Sequence, residues 1–213
     1  MKPPTSFVQV LLACLLLTLL ASCGGSSAVP TEQQRQVAIS QVPCLVVMPV
    51  ETDLREDQAV KYDRAARLEQ GAAYMDTVLT EQLNGRGHVR VLSSRQLTAL
   101  MPGRGSDRQD LIERIGSALK CNAVLVTTLS RYQPRIGGDY GIEQPASVVF
   151  SMKLHDIRQD TVLWSTMFAE TQQSLLSNLM SFGRAVQRGF KWVTAEEMVE
   201  QGIVDKIREC PYL

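Results

Sequence analysis

Asn122-Ala123-Val124-Leu125-Val126-Thr127-Thr128-Leu129-Ser130-Arg131-Tyr132 decides how the chain is read. Its first half is a continuous β-branched and aliphatic run, too short for a core helix, and it predicts a strand buried on both faces. Upstream, Cys44-Leu45-Val46-Val47-Met48-Pro49-Val50 has the same character and predicts a second buried, central parallel strand.

Between these runs the period changes. A polar segment from Glu51 to Arg67 leads into Met75, Val78, Leu79 and Leu83 at helical spacing, and Asn84-Gly85 stops the helix. Val89, Val91 and Leu92 predict a short strand. Ser93-x-x-Gln96 and Ser106-x-x-Gln109 each open a helix, the first ended by Pro102-Gly103 and the second running to about Lys120. The order is β-α-β-α-β, whose parallel crossovers are right-handed.

Downstream, Val148, Phe150, Met152 and Leu154 alternate with more polar residues, the period of a strand with one wetter face. Arg158-Gln159-Asp160 reads as a tight turn, and Thr161 to Thr171 as the strand that pairs back. Leu175, Leu176 and Leu179 return to helical spacing, and Thr194-x-x-Glu197 caps a last helix through Arg208. The expected fold is therefore α/β: a mixed sheet of about five strands, β-α-β-α-β followed by an antiparallel hairpin and carboxyl-terminal helices.

The amino terminus has a different logic. Lys2 is the only charge before an apolar run from Phe7 to Ala21, the layout of a secretory signal. The run is shorter than the roughly 20 residues that span a bilayer. It ends in Leu20-Ala21-Ser22-Cys23, an aliphatic residue three before a cysteine and small residues directly before it, which is a lipobox. The expected division is a signal peptide over 1–22, a lipidated Cys23 with a flexible tether over 23–41, and a single α/β domain over 42–213. Gly24 in place of aspartate favours an outer-membrane address facing the periplasm in a Gram-negative cell.

The mature 191 residues carry 21 basic and 22 acidic side chains, a near-neutral balance that implies no nucleic-acid partner. Beyond the anchor stand Cys44, Cys121 and Cys210. In an oxidising compartment any two of the three can pair, and three unbridged buried thiols are the other reading.

Chemistry is hard to find. There is no Gly-x-Ser-x-Gly elbow, and the two histidines, His88 and His155, read as solvated surface residues. No Cys-x-x-Cys or His-x-x-x-His pair supplies ligands that converge on one metal ion, so neither metal nor cofactor is expected. Paired carboxylates such as Glu196 and Glu197 fall in first helical turns, where they offset the helix dipole. The segment Tyr132 to Pro145, with Gly137-Gly138-Asp139-Tyr140-Gly141, links two strands through a loop that packing alone does not demand. Arg135, Asp139 and Tyr140 are its candidate partner-binding residues. A ligand-binding or enzymatic site at the carboxyl ends of the strands, drawing on Glu51, Thr127, Arg131 and Asp139, is the alternative.

Taken together, the lipobox, "CLVVMPV", "NAVLVTTLSRYQPR", "ASVVFSMKLHDIRQDTVLWSTMF" and "GFKWVTAEEM" resemble bacterial envelope lipoproteins with a fold similar to the TolB amino-terminal domain. Curli secretion channel lipoproteins and lipoprotein activators of penicillin-binding proteins belong to that neighbourhood. Its hairpin phrase is matched by Leu154, Asp156, Ile157, Asp160, Val162, Leu163 and Trp164, with Gln159-Asp160 where Thr-Gly is usual. The resemblance spans about residues 43–172. It implies a non-enzymatic module that binds an envelope protein or assembles with its own copies, and no catalytic residue carries over. A secretion-channel subunit is disfavoured, because no spare pair of membrane-length amphipathic strands is present.

Overall fold

β-branched and aliphatic side chains from two strands build the centre of the sheet. β1 (Leu45–Val47) is buried at all three positions. It lies between β3 (Val89–Val91) and β4 (Ala123–Gln133), parallel to both, with Leu45 opposite Val89 on one side and Ala123 on the other. The computed structural model describes residues 29–53, 62–100, 108–138, 141–172 and 193–213.

The two faces of β1 and β4 are divided by the strand period. Leu45, Val47 and Leu125 point to a core built with α2 (Tyr62–Leu83) and α5 (Ala195–Glu209). Val46, Met48, Val124 and Val126 point the other way, onto Ile112 and Ile115 of α4 (Arg108–Leu119). Short α3 (Ser94–Leu100) adds Leu97 and Leu100 to that second layer. Ser93 caps α3 through Gln96, as its spacing predicts.

β2 (Glu51–Thr52) pairs parallel with β4 beyond the end of β1. Pro49 stands between β1 and β2, and proline has no N–H for a sheet ladder. The next amide, Val50 N–H, is taken by the Asp76 carboxylate of α2 at 2.8 Å. Burial pushes the Asp76 carboxyl up, and the Val50 amide opposes that shift.

Past β4 the sheet turns antiparallel through β7 (Ser147–Asp156) and β8 (Thr161–Thr171), giving the order β3-β1-β4-β7-β8. The mixed sheet and final hairpin expected from the sequence are present. At the β7–β8 turn the Asp156 carboxylate accepts from the amides of Arg158 and Gln159, at 2.8 and 3.2 Å. Asp160 has φ 51°, the left-handed conformation that the usual glycine would supply and that Asp tolerates better than most residues.

The carboxyl-terminal helix follows its cap. Thr194 Oγ accepts from Glu197 N–H and the Glu197 carboxylate accepts from Thr194 N–H, a reciprocal pair. Met198, Val199, Ile203 and Ile207 then face the core. The expected helix around Leu175 to Leu179 lies outside the described residues.

One expectation is corrected. Within the stretch read as flexible tether, Glu32–Gln41 is an α-helix, α1, with its own capping box between Thr31 and Gln34. The segment lacks apolar periodicity because it docks by hydrogen bonds more than by burial, and Ala38 is its one buried residue. The Arg35 guanidinium donates to the carbonyl oxygens of Cys210 (3.0 Å), Leu213 and Arg208, satisfying carbonyls at the end of α5.

Candidate functional site

The carboxyl half of β4 carries the polar features of the fold. Tyr132 is buried, and its phenol donates to the Glu196 carboxylate of α5 at 2.6 Å. Burial first, and then that hydrogen bond, push the phenol far above its usual range. One turn away, Tyr74 of α2 donates to Glu200, a contact that lifts its phenol up to about 12. These two pairs lock α2 and β4 to α5.

Gly71 of α2 explains how the Tyr132 ring fits. A Cβ placed at Gly71 would lie 2.5 Å from Tyr132 Cγ. An alanine inside a helix normally gains about 1 kcal/mol over glycine. Gly71→Ala is expected instead to destabilise the protein by about 1–2 kcal/mol, the cost of overpacking, in thermal and urea unfolding. Unchanged or raised stability would contradict the close approach.

After Gln133 the chain leaves the main sheet and forms a separate two-stranded hairpin, β5 (Ile136–Gly138) with β6 (Gly141–Gln144). The described part of the segment read as a loop is thus largely β structure. Arg135 sits half-buried at the hairpin's entry, and Ile136 is 47% exposed on it. Gly137 has φ 138°, a conformation open to glycine. Asp139 and Tyr140, the other partner-binding candidates, lie outside the described residues.

The hairpin returns through Gln144 and Pro145 beside a cavity of about 370 Å³. Arg64 and Arg67 from the first two turns of α2, Arg131 and Gln133 of β4, Ser147 of β7 and Thr171 of β8 also line it. Ser147 and Thr171 join across the strand pair, Oγ to Oγ1 at 2.7 Å. Of the residues proposed for a strand-end ligand site, only Arg131 lines this cavity. Thr127 is fully buried in mid-strand, Glu51 lies on β2, and Asp139 is outside the described residues.

The cysteines resolve as one pair and one thiol. Cys44 and Cys121 form a disulfide with Cα atoms 4.7 Å apart, and Cys210 is buried and free. Burial pushes the Cys210 thiol up to about 12, which suppresses the reactive thiolate. Cys23 lies outside the described residues. His88 is half-buried and bonded to the Tyr212 carbonyl at 3.1 Å, and His155 is half-buried on β7. The His88 contact leaves no local signal in the sequence, because its partner near the carboxyl terminus lies 124 residues away. Among the described residues no three His, Cys, Asp or Glu side chains cluster in a way suited to a metal, and no helix there is long and apolar enough to cross a membrane.

No family model and no curated protein matches the chain. Several solved structures are similar. Lipoprotein GNA1162 from Neisseria meningitidis is 16% identical, with 79% of this chain and 100% of that one covered at a TM-score of 0.44. The PelC dodecamer from Paraburkholderia phytofirmans is 14% identical over 76% of this chain and 84% of that one, at 0.38. The LpoB carboxyl-terminal domain from Escherichia coli is 15% identical over 67% and 100%, at 0.34.

Proposed function

We propose that this chain is a lipid-anchored, non-catalytic module of the bacterial cell envelope. It sits on the outer membrane, faces the periplasm and binds an envelope protein or further copies of itself. The observation that carries this reading is the junction Leu20-Ala21-Ser22-Cys23 at the end of the apolar run from Phe7 to Ala21. Cleavage there leaves Cys23 as the acylated first residue, and acylation by more than one chain is enough for stable anchoring.

Two further features support the reading. A disulfide between Cys44 and Cys121 suits an oxidising compartment outside the cytoplasm. The β5–β6 hairpin stands apart from the main sheet and offers an exposed Ile136, with Arg135, Asp139 and Tyr140 as the residues proposed to meet the partner.

Cys23→Ala is the direct test of the anchor. Wild-type protein is expected to incorporate palmitate and sediment with outer membranes, and the variant to lose the label and nearly all sedimentation. Unaltered membrane association of the variant would refute the anchor. For the partner, a photo-crosslinking residue placed at Tyr140 should yield a discrete protein adduct in cells. Recovery of monomer alone would remove the basis for a binding hairpin.

A further inference from the structure

We propose that the cavity at the carboxyl end of β4 is a binding site for a small, soluble organic oxyanion bearing a phosphate group or several carboxylates. Arg64, Arg67 and Arg131 converge on it from two elements, and no carboxylate is among the described residues that line it. A guanidinium is charged at every physiological pH and presents a planar fork matched to phosphate or carboxylate.

The arginines stand where helix electrostatics disfavour them. The amino end of a helix carries about half a positive charge, so cations in its first turns are unfavourable and anions are favoured. α2 is 22 residues long, and its first two turns hold Arg64 and Arg67 against a single acid, Asp63. An anion seated between α2 and β4 reverses the sign of that cost, because the helix end and three guanidinium groups then all attract it. Arg67 and Arg131 make no ion pair among the described residues, which leaves both forks available to a ligand.

The remaining walls suit an organic molecule. Gln133 and Gln144 bring side-chain amides, Ser147 and Thr171 bring hydroxyls, and Leu68 and Pro145 bring apolar surface. About 370 Å³ lies in the usual range for small-molecule pockets. The site also occupies the carboxyl end of β4, a strand that pairs parallel with β1 and β2, and open α/β sheets bind their ligands at such strand ends. One wall is held rigid, since Tyr132 is pinned by Gly71 behind its ring and by Glu196 at its hydroxyl.

The test is calorimetric titration of the full-length protein in a nonionic detergent, at low ionic strength so that screening is weak, with inorganic phosphate, glycerol 3-phosphate and citrate as probes. At least one is expected to bind with Kd below about 1 mM. R67Q and R131Q should each weaken that binding about tenfold or more. R67K and R131K keep the charge but lose the fork, and should weaken it several-fold. R114Q is the control, because Arg114 is on α4 across the sheet and already pairs with Asp110 at 2.8 Å. It should bind like wild type. Absence of binding by all three probes, unchanged affinity in the Arg67 and Arg131 variants, or an equal loss in R114Q would each overturn the proposal.

Discussion

Replacing Cys44 and Cys121 together with alanine is expected to lower stability by about 4 kcal/mol. The bridge joins residues 77 apart in sequence. Chain-entropy arguments assign about 3 kcal/mol to a 15-residue loop and about 4.7 kcal/mol to a 100-residue one. The location adds to the effect. Cys44 precedes β1 and Cys121 precedes β4, so the bridge ties the entry ends of the two central strands, and an Asn122 clasp surrounds it. Asn122 Oδ1 accepts from Cys44 N–H at 3.2 Å, and Asn122 Nδ2 donates to the Gln41 carbonyl at 3.1 Å. Denaturant unfolding of oxidised wild type, reduced wild type and the double variant measures it. The last two should coincide, with melting temperatures roughly 8–16 °C below the first. A loss under about 1 kcal/mol would mean that the bridge contributes little to the folded state.

Phe150→Ala is expected to cost about 3–5 kcal/mol, the usual range for deleting a fully buried aromatic ring. Phe150 is at the middle of β7 and 0% exposed. Directly across the strand pair is Phe168 of β8, with ring centroids 5.1 Å apart and planes at 23°. Above this stack lies Gly202 of α5, where a Cβ would approach the Phe168 ring to 3.0 Å. Sheet and helix are thus in contact over the aromatic pair, which limits how far the structure can collapse into the cavity left by alanine. Phe150→Leu retains most of the volume and should cost less than half as much. Equal losses for the two variants in urea unfolding would show that the stack, rather than the filled volume, carries the energy.

Much of this architecture was legible because the apolar patterns are long. β4, β7 and β8 span 11, 10 and 11 residues, and which of their side chains are buried follows the alternation or the continuous run seen in sequence. The Thr194–Glu197 cap was readable for the same reason, since an apolar helical face follows it. α1 was not. Its Thr31-x-x-Gln34 signature equals the one that announced α3, but no apolar stripe supports it, and the anchoring contacts come from carbonyls some 175 residues away. The two-residue β2 and the glycine-rich β5–β6 hairpin are too short to show a period. The arginine cavity was hidden for a topological reason. Arg67 and Arg131 lie 64 positions apart, and only the two successive crossovers, from β1 through α2 to β3 and from β3 through α4 to β4, bring them to one edge. The cysteine pairing depended on the same register, which puts Leu45 beside Ala123.

α1 also sets a length scale. With Cys23 acylated as proposed, a tether running to Gln41 would let the domain wander as far as about 65 Å from its anchor, at roughly 3.5 Å per extended residue. Because Arg35 clasps α1 to the end of α5, the eight residues from Cys23 to Thr31 set the greatest reach, with a limit under about 30 Å. The domain then patrols a thin layer against the bilayer. Its local concentration for anything else held in that layer rises accordingly, and a partner deeper in the periplasm has to extend toward it.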